Sequence, residues 1–281
     1  MCIRDSIPCL PIQFFKEKTI KTGNWTEEKV FTSSGTGGKQ SSHFIRDLAF
    51  YKDHSKQLFA NHFGDLSQYC FLALLPGYLE RKGSSLIEMV ANFIDLSNHS
   101  NSGFYLNQYE ELHQQIRINK QNETPTILFA VSFALLDFVE QLAPDLNGIQ
   151  IIETGGMKSS NKEYSKKEIY HYLQDKTNCK SIHSEYGMTE LLSQCYAINS
   201  LNFECPHSLR VFTTEINDPF QQQVIGKSGQ LNVIDLANID TCSFIQTEDL
   251  AIINDNNTFE LLGRLHLSEM RGCNLLLEEL Q

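Results

Sequence analysis

The sequence predicts an α/β protein in which a largely parallel sheet is flanked by helices and followed by a smaller β-rich part. Apolar runs that suit buried strands alternate with segments of helical spacing up to about residue 200. Beyond that point the runs are shorter, are separated by Asp, Asn and Gly turns, and include no convincing helix. We therefore predict an α/β part over residues 7–200 and a β-rich subdomain over residues 201–281.

Local patterns predict the elements of the α/β part in order. Residues 7–15 hold two prolines among apolar residues, which favours an extended lead-in. Apolar residues at helical spacing predict a helix over 42–63, and Ser84-Ser85 predicts the start of another that runs to about Leu96. The remaining expected elements are strands at 68–75, 126–131, 148–153 and 180–183 and helices at 132–142 and 162–175.

The β-rich part and the two chain ends give further expectations. Strands are predicted at 209–214, 230–234, 243–246, 250–253 and 258–262. The first six residues, MCIRDS, are followed abruptly by IPCLPIQFFK, so we expect a non-native, incomplete N-terminus.

Composition excludes several classes of function. The chain has 281 residues and a net charge of −11, which argues against general binding to nucleic acids or anionic membranes. Its longest apolar run, 127–136, is far shorter than the ~20 residues that a membrane span needs. Eight scattered cysteines without a C-x-x-C pair predict neither a zinc site nor a disulfide framework, and they favour a reduced cytoplasmic setting.

A glycine- and hydroxyl-rich stretch, FTSSGTGGK at 31–39, has the composition of a phosphate-binding loop. Its bare backbone N–H groups and hydroxyls can surround phosphate oxygens where a Cβ would block close approach. A Walker A loop is disfavoured, because Ser33 stands at its first glycine position and Gln40 at its last position. A flexible surface linker is the alternative interpretation.

Five motifs in order carry a resemblance to a known superfamily. TSSGTGG is followed by ETGGMK (153–158), SEYGMTE (184–190), TEDLA (247–251) and LLGRLHLSEMRG (261–272). This series resembles the core motifs of adenylate-forming enzymes, over about residues 7–276. Within that superfamily the chain is most similar to the LuxE-type acyl-protein synthetases and the phenylacetate-CoA ligases.

The resemblance implies an ATP site. Gly155, Gly156 and Met157 would form the wall of the adenine pocket, Tyr186 would stack on the base, and Gly187 would allow a sharp turn. Residues of the glycine loop would bind the phosphates, with Lys39 taking part in catalysis. Those loop residues are Thr32, Ser33, Ser34, Gly35, Thr36, Gly37 and Gly38.

Four further residues complete the implied site. Thr189 and Glu190 would be catalytic, with Glu190 holding Mg²⁺ against the phosphates. Asp249 would bind the ribose hydroxyls, and Arg264 would reach the same nucleotide. Simpler interpretations are a helix N-terminal glutamate at 190, an exposed turn at 249 and a solvated strand end at 264.

The resemblance implies activation of a fatty or aromatic carboxylic acid as an acyl-adenylate and transfer of the acyl group to a thiol. The acceptor would be coenzyme A, an acyl carrier protein, a partner reductase or a protein cysteine, for which Cys273 is a candidate and small apolar packing the alternative. His266 replaces the usual hinge aspartate, and the chain ends at Gln281, where we expect no mobile C-terminal domain. The competing hypothesis is therefore a catalytically weak nucleotide-binding subunit of an acyl-transfer complex.

Overall fold

The computed structural model describes residues 7–33, 39–76, 83–155, 165–254 and 257–265. Six α-helices lie within these ranges: α1 Phe14–Glu17, α2 Leu48–Phe63, α3 Ser85–Ser97, α4 Tyr109–Gln121, α5 Ser132–Leu142 and α6 Lys166–Thr177. The strands of the first half are β1 Leu10–Pro11, β2 Lys29–Thr32, β3 Ser42–Ile45, β4 Cys70–Leu74, β5 Gly103–Phe104, β6 Thr126–Val131, β7 Gln150–Thr154 and β8 Ser181–Tyr186. Those of the second half are β9 Cys195–Ile198, β10 Asn202–Glu204, β11 Leu209–Glu215, β12 Asp218–Gln222, β13 Ser228–Asp235, β14 Phe244–Asn254 and β15 Thr258–Arg264.

One sheet of thirteen strands runs through the described residues. Its parallel section has the order β5-β4-β6-β7-β8. Strand β9 is antiparallel to β8, and the order continues as β10-β15-β14-β13-β11-β12, while β1 lies parallel to β14. The predicted α/β class, with a parallel section and a β-rich second half, is confirmed. The predicted division near residue 200 falls between β9 and β10, which pair with each other, and it stays a prediction.

Continuous apolar runs in the sequence become strands that are covered on both faces. Every residue of β4 and of β6 is buried, as expected where helices pack on both sides of parallel strands. This core includes apolar residues of α2, α3, α5 and α6, and a second core fills the β-rich half around the stacked rings of Phe203 and Phe259. No helix of the described ranges is long and apolar enough to cross a membrane.

Helix starts follow local capping chemistry. The side chain of Ser84 accepts a hydrogen bond from Ile87 N, and the predicted start of α3 is confirmed. Asp47 caps α2 in the same way through Phe50 N at 2.8 Å. The prediction of a helix from residue 42 is therefore wrong for its first turn. Residues 42–45 instead form β3, because they pair with β2 across the glycine loop.

Two further predictions need correction, and one helix was missed. The lead-in contains the short helix α1, and α4 was not predicted. The two strands expected at 243–246 and 250–253 are one strand, β14. Its alternating burial continues through the polar residues Thr247 and Asp249, whose side chains face inward. Because these inward positions are polar, the apolar pattern breaks while the strand continues.

Candidate functional site

Two of the motifs meet at the carboxyl edge of the parallel strands. Strands β7 and β8 lie side by side, with Thr154 paired opposite Glu185. ETGGMK therefore leaves the sheet beside the point where SEYGMTE leaves it. Ligands of open α/β sheets gather at this edge.

The glycine loop joins β2 to β3, and its base is well defined. Ser33 N donates to Ser41 O at 3.2 Å, and Ser41 N donates to Ser33 Oγ at 3.0 Å. Thr32 N donates to Gly83 O at 2.8 Å, so the hairpin is also tied to the start of α3. Lys39 is described and exposed. Several predicted residues lie outside the described ranges: Ser34, Gly35, Thr36, Gly37, Gly38, Gly156, Met157, His266 and Cys273.

Residues 187–194 connect β8 to β9 and belong to no helix. SEYGMTE therefore does not lead from a strand into a helix, and the interpretation of Glu190 as a helix N-terminal residue is wrong. Glu190 is buried, and this burial raises the pKa of its carboxyl group. The Ser41 hydroxyl and the charges of Arg264 and Lys16 act in the opposite direction. The backbone of the Thr189–Glu190 turn is bound to β3, the second strand of the glycine-loop hairpin, because the His43 ring lies 2.8 Å from Thr189 O.

Tyr186, Asp249 and Arg264, which are distant in sequence, are brought together. The hydroxyl of Tyr186 donates to Asp249 Oδ2 at 2.9 Å, and Arg264 Nε donates to Asp249 Oδ1 at 3.2 Å. Asp249 and Arg264 are paired across β14 and β15, and Asp249 is only 5% exposed. The interpretation of Asp249 as an exposed turn residue is therefore wrong.

The ring of Tyr186 packs inside the β-rich core. Its edge contacts lie at centroid distances of 5.9 Å to Phe203 and 5.3 Å to Phe259. Burial, followed by the neighbouring Asp249 carboxylate, raises the pKa of the phenol well above its ordinary value. The predicted stacking of this ring on adenine stays a prediction.

A buried polar network that the sequence did not predict lies beneath the edge. Glu153 accepts hydrogen bonds from Ser132 Oγ at 2.6 Å and from Ser184 Oγ, and it forms an ion pair with Lys166. Gly155 O accepts a second hydrogen bond from Ser132 Oγ at 3.1 Å. These contacts fix the ends of β7 and β8 against α5 and α6. The signal available in the sequence was the glutamate inside an otherwise apolar strand run.

Glu185 is a second buried acid of this edge. Thr154 Oγ1 donates to its carboxylate, and burial raises its pKa to about 7. A Cβ added at Gly187 would stand 2.5 Å from Glu185 Oε1, so a larger residue there would require this buried carboxylate to shift. Gly187 thus avoids a close contact with the Glu185 carboxylate.

The described residues hold no group of three or more His, Cys, Asp or Glu side chains that could bind an ion. Glu190 nevertheless fits Mg²⁺, because it is a buried carboxylate and, among the described residues, no lysine or arginine forms an ion pair with it. Mg²⁺ commonly takes one or two protein carboxylates, with nucleotide phosphates and water supplying the other oxygens.

Comparisons of sequence find nothing. No protein-family model matches the chain, and no curated protein matches it significantly.

Comparison with solved structures finds proteins of the same fold. ATP-bound MatB from Rhodopseudomonas palustris is similar with a TM-score of 0.63 and 12% identity over 84% of this chain and 47% of that chain. An open conformation of 2-hydroxyisobutyryl-CoA ligase in complex with 2-HIB-AMP and CoA is similar with a TM-score of 0.59 and 13% identity, over 84% of this chain and 53% of that chain. The N-terminal subdomain of Klebsiella oxytoca NpsA in complex with 3-hydroxybenzoyl-AMSN is similar with a TM-score of 0.56 and 15% identity, over 84% of this chain and 63% of that chain.

These similarities show that this chain shares its fold with part of each of these three proteins. The chain spans less than two thirds of the length of each of these three proteins.

Proposed function

We propose that this chain uses ATP to activate a carboxylic acid as an acyl-adenylate and passes the acyl group to a thiol. One observation carries the proposal. The turn that carries the buried Glu190 follows β8 and is bound to β3 of the glycine-loop hairpin through His43, and Tyr186 at the end of β8 joins Asp249 and Arg264. The likeness in fold to an ATP-bound protein and to a ligase in complex with an acyl-AMP supports the same site.

In this proposal the nucleotide lies between the hairpin and the Glu190 turn. The carboxylate of Asp249 accepts hydrogen bonds from the ribose hydroxyls, and Arg264 reaches the same nucleotide. Glu190 holds Mg²⁺, which neutralises phosphate charge when bound. Residues 32–38 surround the phosphates with N–H groups and hydroxyls, and Lys39 adds a positive charge.

The reaction needs no nucleophile from the protein in its first step. An oxygen of the acid's carboxylate attacks the α-phosphorus of ATP, the bond from that phosphorus to the bridging oxygen breaks, and pyrophosphate leaves. A thiolate sulfur then attacks the acyl carbon, and AMP leaves with the electron pair of the broken C–O bond. The protein's contribution is alignment of the carboxylate with the α-phosphate and stabilisation of the charge that develops there.

The finer assignment is a LuxE-type acyl-protein synthetase. We expect a fatty or aromatic acid as substrate and an external thiol as acceptor, either coenzyme A, the phosphopantetheine of an acyl carrier protein, or a partner reductase. These assignments rest on the order of the five sequence motifs. A cytoplasmic location belongs to the same proposal.

Exchange of label between pyrophosphate and ATP, with a panel of carboxylic acids, tests the first step directly. Wild type should catalyse acid-dependent exchange that requires Mg²⁺. Glu190→Gln should lose at least about 90% of this activity, because removal of a metal ligand or of its hydrogen-bond partner commonly lowers metal affinity or activity ten- to a hundredfold. Its fold should remain, because the substitution removes a buried charge and keeps the shape of the side chain.

Glu140→Gln is the matched control, because Glu140 is an exposed glutamate on α5 away from the site. It should exchange at the wild-type rate. Unchanged exchange in Glu190→Gln contradicts the metal assignment. Binding of Mg·ATP without exchange for every acid favours the competing hypothesis of a catalytically weak nucleotide-binding subunit.

A further inference from the structure

We propose that His43 and Asn238 are positioning residues that hold the backbone of the Thr189–Glu190 turn in the place where Glu190 meets the nucleotide's metal. The inference rests on the proposed function. It assigns a task to two buried side chains that none of the five motifs contains. Both side chains bind carbonyl oxygens of the motif from distant parts of the chain.

Two hydrogen bonds reach consecutive carbonyl groups of the turn. The ring of His43 binds Thr189 O through Nδ1 at 2.8 Å, and Asn238 Nδ2 donates to Glu190 O at 2.7 Å. His43 and Asn238 are each 1% exposed. A buried hydrogen bond that loses one partner leaves an unpaired polar group, so these contacts strongly favour one position of the turn.

The next residues of the turn are held by Asp235. This fully buried carboxylate accepts from Leu192 N at 3.0 Å, Ser193 N at 2.9 Å and Ser193 Oγ at 2.7 Å. It also accepts from Ala237 N at 3.1 Å, which starts the short 3-10 turn of residues 236–238. The end of β13 therefore presents Asp235 and Asn238 together to the back of the Glu190 turn.

These external contacts matter because the turn has little structure of its own. Residues 187–194 belong to no helix and no strand. The backbone bond from Leu191 N to Met188 O, at 3.1 Å, is an internal one. The position of the Glu190 Cα is consequently set by side chains of β3 and of the 3-10 turn after β13. Since the Glu190 side chain is itself buried, it has little freedom to compensate for a displaced backbone.

His43 also joins the turn to the opposite wall of the proposed nucleotide site. It lies in β3, paired with Phe31 of β2 on the far side of the glycine loop. Its Nε2 is 3.1 Å from Thr241 Oγ1. Because a carbonyl oxygen only accepts, Nδ1 carries the proton toward Thr189 O and Nε2 accepts from the threonine hydroxyl. A neutral ring thus satisfies both contacts, and it ties the glycine-loop hairpin to the acidic turn.

Asn238→Ala tests the inference, with Asn232→Ala as the matched control. Asn232 is also 1% exposed in the β-rich half, and its Nδ2 donates to Thr214 Oγ1 and to Gln230 O, both at 3.0 Å. Each substitution therefore removes a buried amide with hydrogen bonds, but only Asn238→Ala releases the Glu190 turn. The readout is the Mg²⁺ concentration that gives half-maximal ATP–pyrophosphate exchange in the full chain, measured beside the thermal midpoint of each variant.

We expect Asn238→Ala to raise the required Mg²⁺ concentration about tenfold or more, as removal of the partners of metal ligands does elsewhere. Asn232→Ala should lower the thermal midpoint to a similar degree while its Mg²⁺ requirement stays at the wild-type value. Equal Mg²⁺ requirements in the two variants would overturn the positioning role.

Two additional measurements keep the outcomes distinct. Hydrogen exchange of the free protein should be faster over residues 187–194 in Asn238→Ala than in Asn232→Ala, and equal rates there would contradict the inference. His43→Asn, which keeps an N–H donor near the Nδ1 position, should retain more of the Mg²⁺ affinity than His43→Leu. Absence of exchange in wild type with every acid refutes the proposed function and this inference together, whereas an active wild type with an unaltered Asn238→Ala refutes this inference alone.

Discussion

The hydrogen bond between Tyr186 and Asp249 allows the structural and the nucleotide-binding roles of this pair to be separated. Tyr186→Phe removes the phenolic hydroxyl and keeps the ring against Phe203 and Phe259. A buried hydrogen bond to a charged group contributes about 1.5–3 kcal/mol, so the free energy of unfolding should fall by that amount. The ion pair between Arg264 and Asp249 contributes less to the free energy of unfolding than this hydrogen bond, because the Arg264 side chain is 48% exposed and solvent screens the two charges.

A double-mutant cycle measures the coupling directly. Asp249→Ala leaves the Tyr186 hydroxyl buried without its acceptor, which costs about 1–3 kcal/mol on top of the lost ion pair. In the double variant the hydroxyl is absent and this second cost disappears. The coupling energy should therefore exceed about 1 kcal/mol, as is usual for residues in direct contact.

The assay is equilibrium unfolding in urea, followed by circular dichroism, for wild type, both single variants and the double variant. The free energy of unfolding should fall with urea concentration at the same slope in all four proteins, so that differences between the urea midpoints report differences in stability. Additive effects within about 0.3 kcal/mol would refute the reasoning, because distant, independent sites behave in that way.

ATP binding gives the second half of the test. Asp249→Ala should weaken ATP binding about ten- to a hundredfold if its carboxylate accepts from the ribose hydroxyls. Tyr186→Phe keeps this acceptor and should weaken binding less. Affinity of Asp249→Ala within about a factor of two of wild type would contradict the ribose assignment, since such a factor is only ~0.4 kcal/mol.

Three other predictions concern the carboxyl edge and the turn. Gly187→Ala should destabilise the protein by about 1–3 kcal/mol in urea unfolding, because the new Cβ meets the buried Glu185 carboxylate, whereas Gly103→Ala has free space and serves as control. Wild type should lose stability as the pH rises from 4.5 to about 7, because burial raises the folded pKa of Glu185 to about 7 and the native state holds the proton more tightly than the unfolded state. Glu185→Gln should abolish this loss, which amounts to about 3 kcal/mol in full. Equal profiles of stability against pH in wild type and variant would contradict the prediction. Burial lowers the folded pKa of His43 from 6.5 to about 4, so this residue makes wild type lose stability as the pH falls from 6.5 to about 4. His43→Gln should remove this loss, and thermal midpoints measured at pH 4–8 check it. A fall of the thermal midpoint in the variant that parallels wild type would refute the prediction.

Much of the parallel section was determined by the sequence alone. Continuous apolar runs bounded by turn residues predict fully buried strands, and 126–131 and 132–142 are a strand and a helix as expected. Ser84 begins α3 because capping is a local interaction between a side chain and the next backbone turn. Local chemistry of this kind is readable without knowledge of the fold.

The glycine-rich loop, Gly187 and the polar residues Glu190, Asp249 and Arg264 were also singled out from their motifs. Sequence order alone, however, could not show that Asp249 accepts from Tyr186 or that it is buried in a strand. The polar inward positions of β14 broke the apolar pattern there and suggested two strands with an exposed turn. The register of β14 with β15 decides these contacts.

The tertiary structure alone decided what surrounds the site. Residues 42–45 carry apolar side chains that fit a helix, yet pairing with β2 makes them a strand. His43, Asp235 and Asn238 lie far from residues 189–193 in sequence, and only the packing of β3 and β13 against the turn brings them into contact. The partners of a buried polar group are fixed by which strands pack together, and no local pattern carries that information.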